Sequence, residues 1–163
     1  GAVKRSATAC VDLSGVAKGY AIDRAVDVLC RAGVAGGLVD VGGDLVCFGR
    51  PSVGEFWTVD VKNPFAPGGL ARIRIRDGAV ATSGNYARYV NIADRRYGHI
   101  VDPRSGRPTE AAQSVTVVAP SAVTADIWAT ALSVLGPQGL EQLPDEVEAH
   151  AAQISQTARD TAR

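Results

Sequence analysis

The chain has 163 residues, of which 46% are hydrophobic and 21% charged, and its 17 basic side chains balance its 17 acidic ones. This size and composition are typical of one globular domain. Because the net charge is zero, the chain lacks the surplus of Lys and Arg with which proteins bind nucleic acid or anionic membrane surfaces. The three cysteines form no CxxC pair, so neither a disulfide scaffold nor a structural zinc site is indicated.

No targeting signal or membrane-spanning stretch is visible in the sequence. No run approaches the roughly 18 consecutive apolar residues of a membrane helix, and the first ten residues have no hydrophobic signal region. The chain begins with Gly and contains no Met. We therefore interpret it as a piece of a longer protein.

The first third of the sequence predicts a strand, a helix and a broken strand. Residues 8–13 (TACVDL) have side chains typical of a strand, and apolar residues at helical spacing predict a helix over 16–32. Gly33 then stands where a helix-ending glycine belongs. The run 37–49 (GLVDVGGDLVCFG) alternates in polarity until Gly42 and Gly43, where we expect a bulge or sharp turn.

The remainder predicts hairpins followed by a helix, and the whole is an α+β domain built mostly of antiparallel sheet with packed helices. Alternating polarity predicts strands over 56–64, 70–78, 79–83, 87–93, 95–102 and 114–120, the fourth and fifth flanking Asp94. A helix is predicted over 121–135, ended by Gly136 and Pro137. From Leu140 onward we expect a frayed or loosely attached helix. We divide the chain into a domain over 1–143 and a polar tail over 144–163.

The segment from Asp12 to Gly19 (DLSGVAKG) places a carboxylate, a small-residue turn and Lys18 at the start of a helix. Backbone N–H groups at a helix start attract phosphate, and a lysine adds positive charge. The spacing of a Walker A loop is missing. The alternative is that Asp12 only favours the helix start and Lys18 is solvated.

Two further patterns could bind a cation or move a proton. Asp126 and Thr130 lie four residues apart, so a helix presents both oxygens on one face, a donor set suited to Mg²⁺ or Ca²⁺. They could equally serve the helix itself, as a first-turn charge and a back-bonded hydroxyl. His99 stands at a strand end before the rigid turn DPRSG, where a histidine can act as a base or as a hydrogen-bonded structural residue.

One glycine-containing segment, 82–86 (TSGNY), combines hydroxyls, an amide and an aromatic ring. Thr82, Ser83 and Tyr86 could contact a ring system there, although an ordinary turn has the same composition. The patterns of Ser/His/Asp hydrolases, zinc proteases and cysteine proteases are absent from the sequence.

The motifs DLSGVAKGYAID, VDVGGDL, ATSGNYARY, HIVDPRSGRP and SVTVVAPSAVTAD occur in an order that resembles the ApbE family of FAD:protein FMN transferases. The resemblance covers about residues 8–140, and family members are considerably longer. It implies an ApbE-like (T-fold-like) core and Mg²⁺-dependent transfer of FMN from FAD to a Thr or Ser hydroxyl of a target protein.

The resemblance also implies roles for individual residues. His99 corresponds to the base that activates the acceptor hydroxyl, with Ile100 and Val101 beside the flavin. Asp12 and Lys18 correspond to residues next to FAD. The metal would be held by the carbonyl of Gly15 and by the side chains of Asp126 and Thr130.

Other interpretations remain open at this point. The same site with water as acceptor would be an FAD pyrophosphatase that yields FMN and AMP. The chain could also be a flavin-binding fragment without activity, or a generic phosphate-binding domain. The resemblance implies a membrane-associated lipoprotein on the periplasmic side of a bacterial inner membrane; it identifies no acceptor protein and no oligomeric state.

Overall fold

The computed structural model describes residues 6–8, 12–85, 89–93 and 95–152, and these form two α-helices, a 3₁₀ helix and eleven strands. Every strand pairing among them is antiparallel, which confirms the predicted α+β class. The helices are α1 (Ala17–Arg31), α2 (Ala122–Leu135) and the 3₁₀ helix (Gly136–Gln142). The strands are β1 (Gly36–Val41), β2 (Asp44–Gly49), β3 (Trp57–Lys62), β4 (Gly69–Ile75), β5 (Gly78–Gly84), β6 (Tyr89–Ile92), β7 (Arg95–Gly98), β8 (Val101–Asp102), β9 (Arg107–Pro108), β10 (Ser114–Ala119) and β11 (Glu148–Ala152).

Five strands form one sheet in the order β1-β2-β5-β10-β11, and the remaining six form three two-stranded hairpins. Alternation along the sheet sorts side chains to two faces. On β5, Ala79 and Ala81 pack with the helices, whereas Val80 packs with the β3–β4 hairpin through Ile75. The sheet is therefore covered by α1 and α2 on one face and by the β3–β4 hairpin on the other.

Local sequence explains where α1 ends and where the chain turns from β1 into β2. Gly33 has a φ of +84°, and the backbone N–H groups of Gly33 and Val34 donate to the carbonyls of Cys30 and Leu29, as in a Schellman helix end. Gly42 and Gly43 have φ of +65° and +94°, so they form the two-residue turn between β1 and β2. The sharp turn expected there is confirmed, and Asp44 begins the next strand.

Two contacts fix α1 against α2. The carboxylate of Asp23 on α1 accepts the backbone N–H groups of Ala122 and Val123 at 2.9 and 3.0 Å, which caps the start of α2. Gly19 is buried at the crossing, where a Cβ atom would lie 2.4 Å from the carbonyl oxygen of Ala122. The crossing therefore requires glycine, and it holds the first turn of α1 beside the first turns of α2.

The structure differs from the sequence predictions near both ends of the chain. Three of the six residues of the strand expected over 8–13 lie outside the described ones, and the described positions Thr8, Asp12 and Leu13 are not in a strand. The loose helix expected after Leu140 is wrong over 148–152, where β11 pairs with β10. The exposed edge of β10 offers backbone partners to this segment, and buried Val147 anchors it. The division of the chain at residue 143 stays a prediction.

The other predicted elements are confirmed within a few residues, including both helices, the β3–β4 and β6–β7 hairpins and strands β5 and β10. No helix among the described residues is long and apolar enough to cross a membrane.

Candidate functional site

The candidate site lies where the start of α1, the first half of α2, the start of β2 and the end of β5 meet. Lys18 stands on α1, Asp44 opens β2, Ser83 is near the end of β5, and Asp126 and Thr130 project from α2. The helix crossing at Gly19 and the two-glycine turn before Asp44 bring these polar groups to one end of the apolar core.

An ion-pair network occupies the centre of this site. The Lys18 ammonium group pairs with the Asp44 carboxylate, and its Nζ lies 3.4 Å from Oδ1 of Asp126. Both carboxylate side chains are 2% exposed, whereas that of Lys18 is 32% exposed. Each carboxylate also accepts a backbone N–H group: Asp44 Oδ1 from Thr82 at 3.0 Å, and Asp126 Oδ2 from Gly19 at 3.1 Å. The two buried charges are thus paired and hydrogen-bonded, as buried charges must be.

The environment of Asp44 pushes its pKa in opposite directions. Burial raises the pKa of the Asp44 carboxyl above its usual value, and the nearby negative charge of Asp126 acts in the same direction. The hydrogen bonds from Lys18 and from the Thr82 backbone oppose this rise. By contrast, the hydroxyl and backbone N–H of Ser14 lower the pKa of exposed Asp12. Lys18 and the Thr82 backbone thus favour the charged form of Asp44 against its burial, whereas the Ser14 hydrogen bonds favour the charged form of exposed Asp12.

Small residues bring three oxygen-bearing groups together next to Asp126. Thr130 Oγ1 is 3.2 Å from Ser83 Oγ, which joins α2 to the end of β5. Gly15 lies directly against Thr130, because a Cβ atom on Gly15 would be 3.1 Å from Thr130 Cγ2 and 3.2 Å from its Oγ1. The backbone at Gly15 thus approaches the Thr130 hydroxyl more closely than most side chains would allow.

His99 follows β7 in a short link whose next residue, Ile100, is held by hydrogen bonds of its backbone. Ile100 accepts a hydrogen bond from Thr109 N at 2.8 Å and donates to Asn85 Oδ1 at 3.4 Å. Asn85 is buried, and its Nδ2 donates to the carbonyl of Thr109 at 2.8 Å. Thr109 in turn donates through Oγ1 to the carbonyl of Ser133 on α2. The backbone that carries exposed His99 is therefore fixed through Asn85 and Thr109 to the helix that carries Asp126.

Two cavities open on this cluster and share Lys18, Ser83 and His99 in their walls. The larger, of about 700 Å³, is lined by polar groups and by an apolar set of residues, namely Ile100, Val101, Pro103, Val134 and Leu135. The smaller, of about 330 Å³, lies toward the β1–β2 turn and β3. The larger cavity thus has both the size and the mixed lining that are typical of a site for an organic ligand.

The structure brings most of the site residues predicted from sequence to the larger cavity. Thr82 lines the smaller cavity instead, and Tyr86 lies outside the described residues. Sequence reasoning gave Asp44 no role. An acidic residue between a two-glycine turn and an otherwise apolar strand was the available signal. The predicted residues in the wall of the larger cavity are Asp12, Gly15, Lys18, Ser83, His99, Ile100, Val101, Asp126 and Thr130.

The donor set suits a hard divalent cation. No group of three or more His, Cys, Asp or Glu side chains in the described part of the chain is arranged to hold a metal. The residues predicted as metal ligands, Gly15, Asp126 and Thr130, carry a backbone carbonyl, a carboxylate and a hydroxyl, and Mg²⁺ usually combines one or two carboxylates with substrate phosphates and water. Their chemistry therefore fits Mg²⁺ rather than zinc.

Comparisons with known proteins point to one family. The family model described as the ApbE family matches residues 2–153. The FAD:protein FMN transferase of Klebsiella pneumoniae is 38% identical over 139 residues, covering 83% of this chain and 40% of that protein. The Escherichia coli K12 protein of the same name is 38% identical over 136 residues, covering 82% of this chain and 39% of that protein.

Solved structures agree in fold. The ApbE protein of Thermotoga maritima superposes with a TM-score of 0.80 at 34% identity, covering 94% of this chain and 53% of that one. The flavin transferase ApbE of Vibrio cholerae gives 0.69 at 33% identity, covering 87% and 50%. The chain thus spans about two fifths of the length of these curated relatives and about half of these solved chains.

Proposed function

Because this chain belongs to the ApbE family, we propose that it carries a site for Mg²⁺-dependent transfer of FMN from FAD to a Thr or Ser hydroxyl of an acceptor protein. The observation that carries the proposal is the larger cavity, in whose wall His99 stands together with Lys18, Asp126 and Thr130. Cleavage of a pyrophosphate needs a base that activates the attacking hydroxyl and a bound cation that neutralises the developing charge. Relatives named FAD:protein FMN transferase support the same reaction.

The reaction is a phosphoryl-group substitution at the FMN phosphorus of FAD. The acceptor oxygen forms a bond to that phosphorus while the bond between it and the bridging oxygen breaks, and AMP leaves with the bridging oxygen. His99 takes the proton of the acceptor hydroxyl at one of its imidazole nitrogens. Its exposure and its place in the walls of both cavities allow an acceptor side chain to reach it while FAD occupies the larger cavity.

Polar groups at the start of α1 and on α2 would stabilise the negative charge of the pyrophosphate. Gly15, Asp126 and Thr130 would hold Mg²⁺, which neutralises charge on the pyrophosphate when bound. Lys18 provides a positive charge at the junction of the two cavities, next to where the phosphates would lie. Asp12 and Ser83 line the larger cavity. There the Asp12 carboxylate would accept hydrogen bonds from FAD, and the Ser83 hydroxyl would donate to FAD or accept from it.

The apolar wall suits the isoalloxazine ring. Ile100, Val101 and Pro103 form one part, and Val134 and Leu135 at the end of α2 form another. The hydrogen bonds of Ile100 to Asn85 and Thr109 keep the first part in place. A flat aromatic ring bound there would bury apolar surface and lie beside His99.

A second candidate function is hydrolysis of FAD to FMN and AMP. It is favoured by the exposure of His99, since water can reach the same base. Product analysis separates the two functions, because transfer leaves flavin covalently bound to protein whereas hydrolysis releases free FMN. A flavin-binding site without activity would yield neither product.

The experiment is a comparison of wild type with His99→Ala and with Asp126→Ala. We expect His99→Ala to abolish transfer while FAD still binds, because the base is lost and the apolar wall is intact. Asp126→Ala should raise the Mg²⁺ concentration required or remove activity. Loss of FAD binding in His99→Ala would show that His99 is structural, and an unchanged Mg²⁺ requirement in Asp126→Ala would contradict the metal assignment.

Location and organisation are proposed from the family resemblance. We place the protein, as a membrane-associated lipoprotein, on the periplasmic side of a bacterial inner membrane, with residues 1–143 as the transferase part. Fractionation of the source cells with an antibody to this chain tests the location, and a cytoplasmic signal would contradict it.

A further inference from the structure

Asp44 is the one buried carboxylate of the described site to which the proposed function gives no part. It stands at the start of β2, directly after the two-glycine turn, and its side chain is 2% exposed. Oδ1 accepts the Thr82 backbone N–H at 3.0 Å, and Oδ2 pairs with Lys18. The carboxylate is therefore fixed by the sheet on one side and holds an ammonium group on the other.

Asp126 has the same kind of arrangement but a looser contact with Lys18. Its Oδ2 accepts the Gly19 backbone N–H at 3.1 Å, and its Oδ1 lies 3.4 Å from Lys18 Nζ, beyond a good hydrogen bond. Lys18 is thus shared between two carboxylates and is drawn to Asp44. Because Oδ2 already accepts the Gly19 N–H group, Oδ1 is the Asp126 oxygen with the weaker contact and therefore the one more open to a cation.

We propose that Asp44 is a positioning residue that holds the Lys18 ammonium group away from Oδ1 of Asp126 and so keeps this oxygen available to a divalent cation. The inference rests on the proposed metal site at Asp126. Without the Asp44 charge, Lys18 pairs with Asp126 and competes with the cation for the same oxygen. The net charge of Lys18, Asp126 and residue 44 together also changes from −1 to 0, and this weakens cation binding further.

The test measures binding of Mn²⁺ alone, by the electron paramagnetic resonance signal of the free ion, to the full chain without FAD. Asp44→Asn is nearly isosteric, and its remaining amide oxygen can still accept the Thr82 N–H. We expect this variant to bind Mn²⁺ about tenfold more weakly than wild type, the scale set by a unit charge a few ångströms away.

Asp40→Asn is the matched control. Asp40 lies on the same hairpin and its Oδ1 accepts the Gly43 N–H, so this variant removes one charge without releasing Lys18. We expect its affinity to stay within about threefold of wild type, because exposed charges are strongly screened.

A second substitution separates positioning from a general loss of structure. In Asp44→Asn/Lys18→Met the competing ammonium group is gone and the net charge returns to −1, so we expect Mn²⁺ affinity to recover to within about threefold of wild type. Lys18→Met alone should bind Mn²⁺ no more weakly than wild type, which provides a test even where Asp44→Asn fails to fold.

Three results would overturn the inference: wild-type affinity in Asp44→Asn, no recovery in the double variant, or weakened binding in Lys18→Met. Absence of Mn²⁺ binding to wild type would overturn the metal site and this inference together. If wild type binds Mn²⁺ and the variants change its affinity as expected, but no flavin is transferred, the proposed function alone is contradicted.

Discussion

Replacing Gly19 by alanine tests whether the helix crossing builds the site. In an ordinary helix interior this change stabilises by about 1 kcal/mol, because alanine has the higher helix propensity. Here the new Cβ would lie 2.4 Å from the carbonyl oxygen of Ala122, 2.6 Å from its carbonyl carbon and 2.8 Å from Cα of Val123. The first distance is about 1 Å short of the 3.4 Å at which ordinary van der Waals contact begins.

The magnitude follows from what must move. All three contacted atoms belong to the backbone of α2, so no side chain can rotate away and the helices themselves must separate. Overpacking of this kind destabilises by about 3 kcal/mol, at the upper end of the usual range. Against the propensity gain of about 1 kcal/mol, Gly19→Ala should lower the free energy of unfolding by about 2 kcal/mol.

Urea unfolding followed by circular dichroism measures this free energy. Ala21→Gly, at an exposed position of the same helix, is the control for propensity and should cost about 1 kcal/mol. Gly19→Ala should also weaken Mn²⁺ binding, because it disturbs the hydrogen bond from the Gly19 N–H group that orients Asp126. A Gly19→Ala chain as stable as wild type, with unchanged Mn²⁺ affinity, would refute the reasoning.

Two other predictions concern buried groups away from the helix crossing. Burial raises the pKa of the Cys47 thiol to about 11 from an ordinary value of 9.0, so at pH 8 its reactive thiolate is about a hundredfold scarcer than that of an ordinary cysteine. Peptide mapping after iodoacetamide treatment should find exposed Cys30 labelled and Cys47 unlabelled until urea unfolds the chain; rapid labelling of native Cys47 would contradict its burial. Asn85→Ala leaves the Ile100 N–H and the Thr109 carbonyl without their buried partner, and we expect it to lower the free energy of unfolding by about 2–3 kcal/mol. A loss below about 1 kcal/mol in urea unfolding would show that these bonds do not hold the His99 link in place.

Local patterns in the sequence were enough for the elements that depend on local physics. The 3.6-residue period of α1, its end at Gly33 and the turn at Gly42 and Gly43 all follow from side-chain size and backbone freedom. Strand β11 could not be found in this way. Its residues, EAHAA, have little strand propensity, and they are extended because β10, about thirty residues earlier, offers an unpaired edge.

The site residues differ in the same way: some could be predicted from local spacing, and one depends on tertiary contacts. Spacing predicted that Asp126 and Thr130 share a helix face, and the rigid turn after His99 marked a candidate base. Asp44 was missed because its importance is tertiary: it is buried against Lys18 and Thr82, 26 and 38 residues away in sequence. A single acidic residue in a strand gives no sign of such partners until the sheet and α1 are assembled.

Covalent transfer of flavin is the central claim, and in-gel flavin fluorescence measures it most directly. The chain is incubated with FAD, Mg²⁺ and a purified protein that the Vibrio cholerae flavin transferase is first shown to label, with EDTA added to a parallel sample. We predict a fluorescent acceptor band that disappears with EDTA, together with release of one AMP for each flavin attached. An acceptor that the Vibrio cholerae enzyme labels and this chain leaves dark, or a band that EDTA does not affect, would contradict the account.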